Sequence, residues 1–143
     1  MLKNIPKIVS PELLKTLAGM GHGDEIVIAD GNFPAETFGK RVIRADGISG
    51  AAMLDAVLSL LPLDTYSDQN FILMKLMDCD EGKIEPVIWC DYAAIAAKHD
   101  KYVRIGQIGR FEFYERAKSA YAVIATGEEA VYANIILKKG VIK

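Results

Sequence analysis

The chain has 143 residues, 51% of them apolar and 25% charged, with a formal net charge of -2 at neutral pH. This is ordinary globular composition, in a chain long enough to bury a core without disulfides or a structural metal. The charge balance gives no electrostatic basis for binding nucleic acid or an anionic membrane, and no apolar run approaches the roughly 20 residues of a membrane span.

The first expected element is a helix in Ser10 to Gly21. Ser10 suits the N-cap, Pro11 suits the first helical position, and Leu13, Leu14 and Leu17 share a face. Gly19 and Gly21 supply the stop. Glu25 to Ala29 is short and apolar and reads as a buried strand, and Asp30 to Pro34 is turn chemistry. Lys40 to Ala45 is a second expected strand, followed by a turn at Asp46-Gly47. Ser49 to Leu61 repeats the helical spacing and ends before Pro62. Phe71 to Met77 reads as a strand, Asp78 to Lys83 as a polar loop and Pro86 to Lys98 as a helix. Val103 to Ile108 is strand-like or irregular. A helix is expected from Arg110 to Lys118, a strand from Tyr121 to Gly127, a turn at Glu128-Glu129 and a last strand from Asn134 to Leu137. Strands alternating with helices predict an α/β fold, with residues 1–143 as one domain. The short turn between the last two strands predicts that these two pair antiparallel, which makes the sheet mixed.

The densest chemistry lies in Gly21-His22-Gly23-Asp24, at the entrance to the first strand, and in Asp30 at its exit. Histidine exchanges a proton near neutral pH, and flanking glycines give a ligand close access. The plain alternative is an inert turn histidine. Asp24 either caps the turn or holds the His22 ring in one tautomer. Asp30 lies just beyond a strand end, where crevices form in α/β sheets.

Other constellations fail. Cys79, Cys90 and His99 lack zinc-ligand spacing, so no metal site is expected. Gly106-Gln107-Ile108-Gly109 fits no phosphate-binding loop, and no serine sits in a nucleophile elbow. His99, in a charged group, reads as a solvated loop residue, and Trp89 as core or interface. Taken alone, Tyr121 and Tyr132 read as core tyrosines with satisfied hydroxyls. The two cysteines form no disulfide framework and the N-terminal residues lack a leader pattern, so a reducing cytoplasm is the expected setting.

Gly21-His22-Gly23-Asp24 with Ile28-Ala29-Asp30 and Phe33-Pro34 resembles the N-terminal signature of the RbsD/FucU family, which contains D-ribose pyranase and L-fucose mutarotase. Thr126-Gly127-Glu128 followed by Tyr132-Ala133-Asn134-Ile135-Ile136-Leu137-Lys138-Lys139-Gly140 resembles its second signature. Val42 to Gly47 and Arg110 to Ala117 look like the fucose-mutarotase branch, and the resemblance runs from about Leu2 to Val141. It implies an RbsD-like three-layer α/β/α fold around a central mixed β-sheet. It implies a cofactor-free isomerase that opens and recloses a monosaccharide ring, with L-fucose as the expected sugar; a D-ribose pyranase and a protein that only binds the sugar are the alternatives. It further implies a homo-oligomer, often a decamer of stacked pentamers, with sites at subunit interfaces. By the same resemblance His22 is the catalytic acid/base, with Tyr132 or Tyr121 as its partner. Asp30, Arg110, Tyr132, Ala133 and Asn134 are then the sugar-binding residues. Asn32 stands where some members carry histidine, Ala133 where some carry glycine, and Tyr121 where tyrosine and phenylalanine alternate.

Overall fold

A computed structural model describes residues 1–143. The elements run α1 (Pro11–Gly19), β1 (Glu25–Ala29), α2 (Ala35–Phe38), β2 (Val42–Ala45), α3 (Gly50–Leu58), β3 (Phe71–Met74), α4 (Ile88–His99), β4 (Ile105–Ile108), α5 (Arg110–Ser119), β5 (Ala122–Thr126) and β6 (Ile135–Lys138). The helix starts follow their capping residues. The Ser10 hydroxyl accepts from the Leu13 N–H at 3.1 Å, and the Ser49 hydroxyl from the Ala52 N–H at 3.2 Å. The single-turn helix α2, following Pro34, had no signal long enough to read in the sequence.

Six strands form one sheet in the order β2-β5-β1-β6-β3-β4. Side-chain alternation builds two cores from it. Ile26, Ile28, Phe71, Leu73, Ile124, Ile135 and Leu137 face a layer containing α1, α3 and α4. Val27, Ala29, Ile72, Met74, Val123, Ala125 and Ile136 face a layer containing α2 and α5. This is the expected three-layer α/β/α arrangement. Burial on both faces also explains why β1, β3 and β5 read as unbroken apolar runs. Each buried aliphatic side chain contributes about 1.5–3 kcal/mol, so the register of these strands is firmly set.

The sheet is mixed, but not through the expected hairpin. β1 lies between β5 and β6, so the last two strands do not pair with each other. β6 instead runs antiparallel to both β1 and β3, with Ile136 opposite Val27 on one side and Ile72 on the other. Residues 127–134 are held apart from a tight turn by separate anchors. The Gly127 N–H donates to the Ile48 carbonyl at 2.9 Å, and the Gly31 N–H to the Glu128 carbonyl at 2.8 Å. β1, β2 and β5 are mutually parallel, as are β3 and β4. Since β6 opposes both β1 and β3, all strands but β6 end at one edge of the sheet. Asp30, Arg110 and the residues that enter β6 meet there.

Gly127 fixes how closely β5 leaves past the 46–48 turn. A Cβ at this position would lie 1.9 Å from the Asp46 carbonyl oxygen, a backbone atom with little room to yield. Gly127→Ala is expected to destabilise the fold by about 1–3 kcal/mol through overpacking, read as a lower Tm in a thermal melt. An unchanged Tm would show that the turn moves aside freely.

Candidate active site

At the carboxyl edge, a cavity of about 280 Å³ is bordered by Asp30, Phe33, Met77, Arg110, Tyr132 and Asn134. Its centre is a carboxylate–amide pair. The Asn134 Oδ1 accepts from the Asp30 N–H at 2.8 Å, and its Nδ2 donates to Asp30 Oδ2 at 2.9 Å. The other carboxylate oxygen, Oδ1, accepts from the Asn32 N–H at 3.0 Å. Both residues are buried. Burial raises the Asp30 carboxyl above its ordinary range, while hydrogen bonds from the Asn32 and Ala133 amides and the Asn134 side chain pull the other way. The result is a rigid acceptor at the exit of the central strand.

Arg110 opens α5, where Gly109 is the N-cap. A cation in a first helical turn opposes the helix dipole, so helix stability does not explain its placement. Its Nε donates to the Tyr114 hydroxyl at 2.8 Å, and the guanidinium stands 5.4 Å from the centre of that ring. The hydrogen bond to Tyr114 raises the Arg110 pKa. Tyr132 has φ 58° and donates its hydroxyl proton to Asp80 Oδ2. Burial and that bond raise the phenol pKa. Phe33, Met74, Met77, Tyr114 and Val131 complete an apolar wall. The cavity therefore offers a buried acid acceptor, a permanent cation and a phenol beside apolar surface.

His22 lies at the other edge. The five residues of β1, at about 3.3 Å each, place it about 16 Å from Asp30 along the strand. Its Nε2 pairs with Asp64 Oδ1 at 2.9 Å. The His22 side chain is 45% exposed, while that of Asp64 is 2% exposed. Burial alone would raise the Asp64 carboxyl. Hydrogen bonds from Ser67, His22 and the Tyr66 N–H overcome that and hold it well below the ordinary carboxylate range. A charged acceptor at Nε2 fixes that nitrogen as the donor and leaves Nδ1 outside that bond. Tyr66 packs beside the imidazole, with ring centres 5.3 Å apart.

The expected residues thus divide. Asp30, Arg110, Tyr132 and Asn134 converge, whereas His22 stands at the opposite edge. The Ala133 side chain is fully buried, and what it presents to Asp30 is its N–H. Tyr121 does not border the cavity. It lies against Gly19, where a Cβ would sit 2.5 Å from its hydroxyl, with the Arg41 guanidinium 4.4 Å from its ring centre. Asp24 is not the residue that orients His22, because its carboxylate accepts from the Gly21 N–H at 2.7 Å and closes the turn. His99 is not a solvated loop residue either. It ends α4, with its side chain 19% exposed and its Nε2 2.6 Å from Asp55 Oδ1. Trp89 is half-buried and its indole N–H donates to the Tyr132 carbonyl at 2.8 Å.

Sequence reasoning missed Asp64 and Asp80. Asp64-Thr65-Tyr66-Ser67 does carry a local signal, an Asp whose carboxylate accepts from the Ser67 hydroxyl and N–H three residues on. Nothing local says that it also reaches His22, 42 positions away. Asp80 is one acid among several in a polar loop.

The fold and cavity define a protein of the three-layer α/β/α class with a small polar site at the carboxyl edge of its sheet. The model of the RbsD / FucU transport protein family matches residues 3–142, and the chain belongs to that family. It is 50% identical over 145 residues to the fucose mutarotase of Homo sapiens, covering 99% of this chain and 94% of that protein. The crystal structure of the fucose mutarotase from Streptococcus pneumoniae, in complex with L-fucose, is 48% identical with a TM-score of 0.92, over 99% of this chain and 100% of that one. The structure of Bacillus subtilis RbsD complexed with D-ribose is 25% identical with a TM-score of 0.71, over the whole of both chains. No helix of this chain is long and apolar enough to cross a membrane.

Asn134→Ala would strip the buried Asp30 of partners on both its N–H and its carboxylate. The expected cost is about 1–3 kcal/mol, seen as a lower Tm. The loss of the amide raises the Asp30 carboxyl further above its unfolded value, which penalises the ionised folded state. The deficit is therefore full at neutral pH and shrinks as falling pH protonates Asp30. A deficit that grew on acidification would contradict this account of the pair.

Proposed function

We propose that the chain is an L-fucose mutarotase, an isomerase that interconverts the α and β anomers of the sugar, with residues 1–143 acting as one mutarotase domain. The observation that carries this reading is the division of the site. The exposed imidazole of His22 is backed by a buried carboxylate at one edge, and a sugar-sized set of polar groups lies at the other. A protein that only bound a sugar would not need a titrating group so arranged. The similarity to fucose mutarotases, at 48–50% identity, favours L-fucose over D-ribose, whose structural neighbour is 25% identical.

Ring opening moves two protons. One leaves the anomeric hydroxyl while another reaches the ring oxygen. The C1–O5 bond breaks, the C1 carbonyl rotates and the ring closes on its other face. His22 Nδ1 and the Tyr132 hydroxyl take the two ends of this exchange. Tyr132 is taken as the partner in preference to Tyr121 because it borders the cavity beside Asp30. Asp30 accepts sugar hydroxyls, and Arg110, always charged, donates to them without giving up a proton. Asn134 acts through Asp30, and Ala133 through its backbone.

One chain cannot bring His22 to Asp30, so a second copy supplies the imidazole. The two surfaces lie at opposite edges of the sheet, which makes their contact head-to-tail, and head-to-tail contacts whose rotation closes form rings. Exposed apolar residues flank both edges, Tyr66 and Ile142 on one and Phe111 and Val131 on the other. A decamer of two stacked pentamers is the assembly we favour. The exposed free thiols of Cys79 and Cys90 suit the reducing cytoplasm.

Light scattering is expected to give a homo-oligomer far above the 15.7 kDa of one chain. In the same preparation His22→Ala should keep that assembly and lose about 10²–10⁴-fold in the rate of L-fucose anomer exchange measured by saturation-transfer NMR. A fully active monomer, or His22→Ala exchanging at the wild-type rate, would reject the reading.

A further inference from the structure

Tyr132 is unusual in its backbone and in its bonding. It adopts φ 58°, which is rare for a bulky residue and is maintained only where the surroundings enforce it. Three contacts do so. The Trp89 indole N–H donates to the Tyr132 carbonyl at 2.8 Å, the Met77 N–H donates to its hydroxyl oxygen at 3.3 Å, and the hydroxyl donates to Asp80 Oδ2. A phenol has one proton and two lone pairs. The proton is committed to Asp80 and one lone pair to Met77. What remains for a ligand in the cavity is a single lone pair. Tyr132 therefore meets a sugar as an acceptor.

We propose that Asp80 is the positioning residue and proton sink that makes Tyr132 the base of ring opening, an inference that rests on the mutarotase reading above. The anomeric O1–H proton passes to Tyr132 Oη as the phenolic proton passes to Asp80 Oδ2. The C1–O5 bond breaks, O1 becomes the carbonyl oxygen, and the electron pair on O5 takes a proton from Nδ1 of the adjoining copy's His22, which enters the step as the imidazolium and leaves it neutral with Nε2–H still on Asp64. Closure on the other face reverses each transfer and returns Asp80, Tyr132 and His22 to their starting protonation. Asp80 itself borders the cavity, and its place in the loop after β3 is set by local bonds. The Asp80 N–H donates to the Met77 carbonyl at 2.9 Å, so the residue that donates to Tyr132 and the residue that accepts from it belong to one turn. The raised pKa of Tyr132 agrees with a phenol that keeps its proton until the sugar supplies another.

Asp80→Asn tests this, because an amide oxygen can still accept from Tyr132 but cannot take up its proton. For L-fucose anomer exchange, kcat is expected to fall about 10²-fold or more while KM stays within about threefold. Tyr132→Phe should fall comparably, and adding Asp80→Asn to it should cost nothing further, since the two act as one unit. The emission of Trp89, the only tryptophan, reports whether the segment carrying Tyr132 has stayed in place. A wild-type kcat for Asp80→Asn with an inactive Tyr132→Phe would overturn the relay and leave the mutarotase reading standing. Wild-type rates for both variants would remove the tyrosine step of that reading itself. Losses that multiply in the double variant, or a kcat loss accompanied by an equal KM rise and a shifted Trp89 emission, would assign Asp80 a different role and overturn the proposal.

Discussion

The placement of β1 between β5 and β6, with both faces buried, is the constraint on which the rest of the site depends. A central strand with a parallel neighbour on one side and an antiparallel neighbour on the other can neither bend nor slip without exposing Ile26 to Ala29. Its two ends are consequently fixed points. One carries Gly21-His22-Gly23, the other Asp30. The same rigidity that holds each group in place forbids them from meeting within one chain. The proposal of a shared site rests on this strand rather than on any feature of the cavity.

Two buried carboxylates organise the two ends, and they differ in kind. Asp64 is buried but surrounded by donors, and the Ser67, His22 and Tyr66 contacts outweigh the desolvation and keep it ionised. It can therefore present a steady negative charge to the imidazole. Asp30 also accepts hydrogen bonds, from the Asn32 and Ala133 amides and the Asn134 side chain, yet there desolvation prevails. It gains from any further donor, which is what a sugar hydroxyl provides. One carboxylate serves a protein side chain permanently, and the other has remaining capacity for a ligand.

Local chemistry was legible in the sequence where a single element decided it. Ser10-Pro11 and Ser49 marked helix starts, and the apolar runs marked the buried strands of an α/β fold. The family signatures selected Asp30, Arg110, Tyr132 and Asn134, which the fold does bring together. What could not be read depended on pairing between distant segments. The strand order turned on whether β6 joined β5 or crossed β1, and nothing in residues 127–134 distinguishes those outcomes. His22 and Asp30 are close along the chain, yet the extended strand between them holds them apart. Asp64 and Asp80 were invisible because their partners, His22 and Tyr132, are set by tertiary structure alone.

Subunit complementation tests the shared site most directly. His22→Ala and Asp30→Asn chains, each inactive when pure, would be unfolded together, refolded as mixed oligomers and assayed for L-fucose anomer exchange. In a head-to-tail assembly with random placement at equal ratio, about a quarter of the contacts join an intact His22 to an intact Asp30. The account predicts that activity returns to about that fraction of wild type. Activity that remained at the level of the two parents, in oligomers shown to contain both chains, would mean that each site is built within one subunit and would contradict the account.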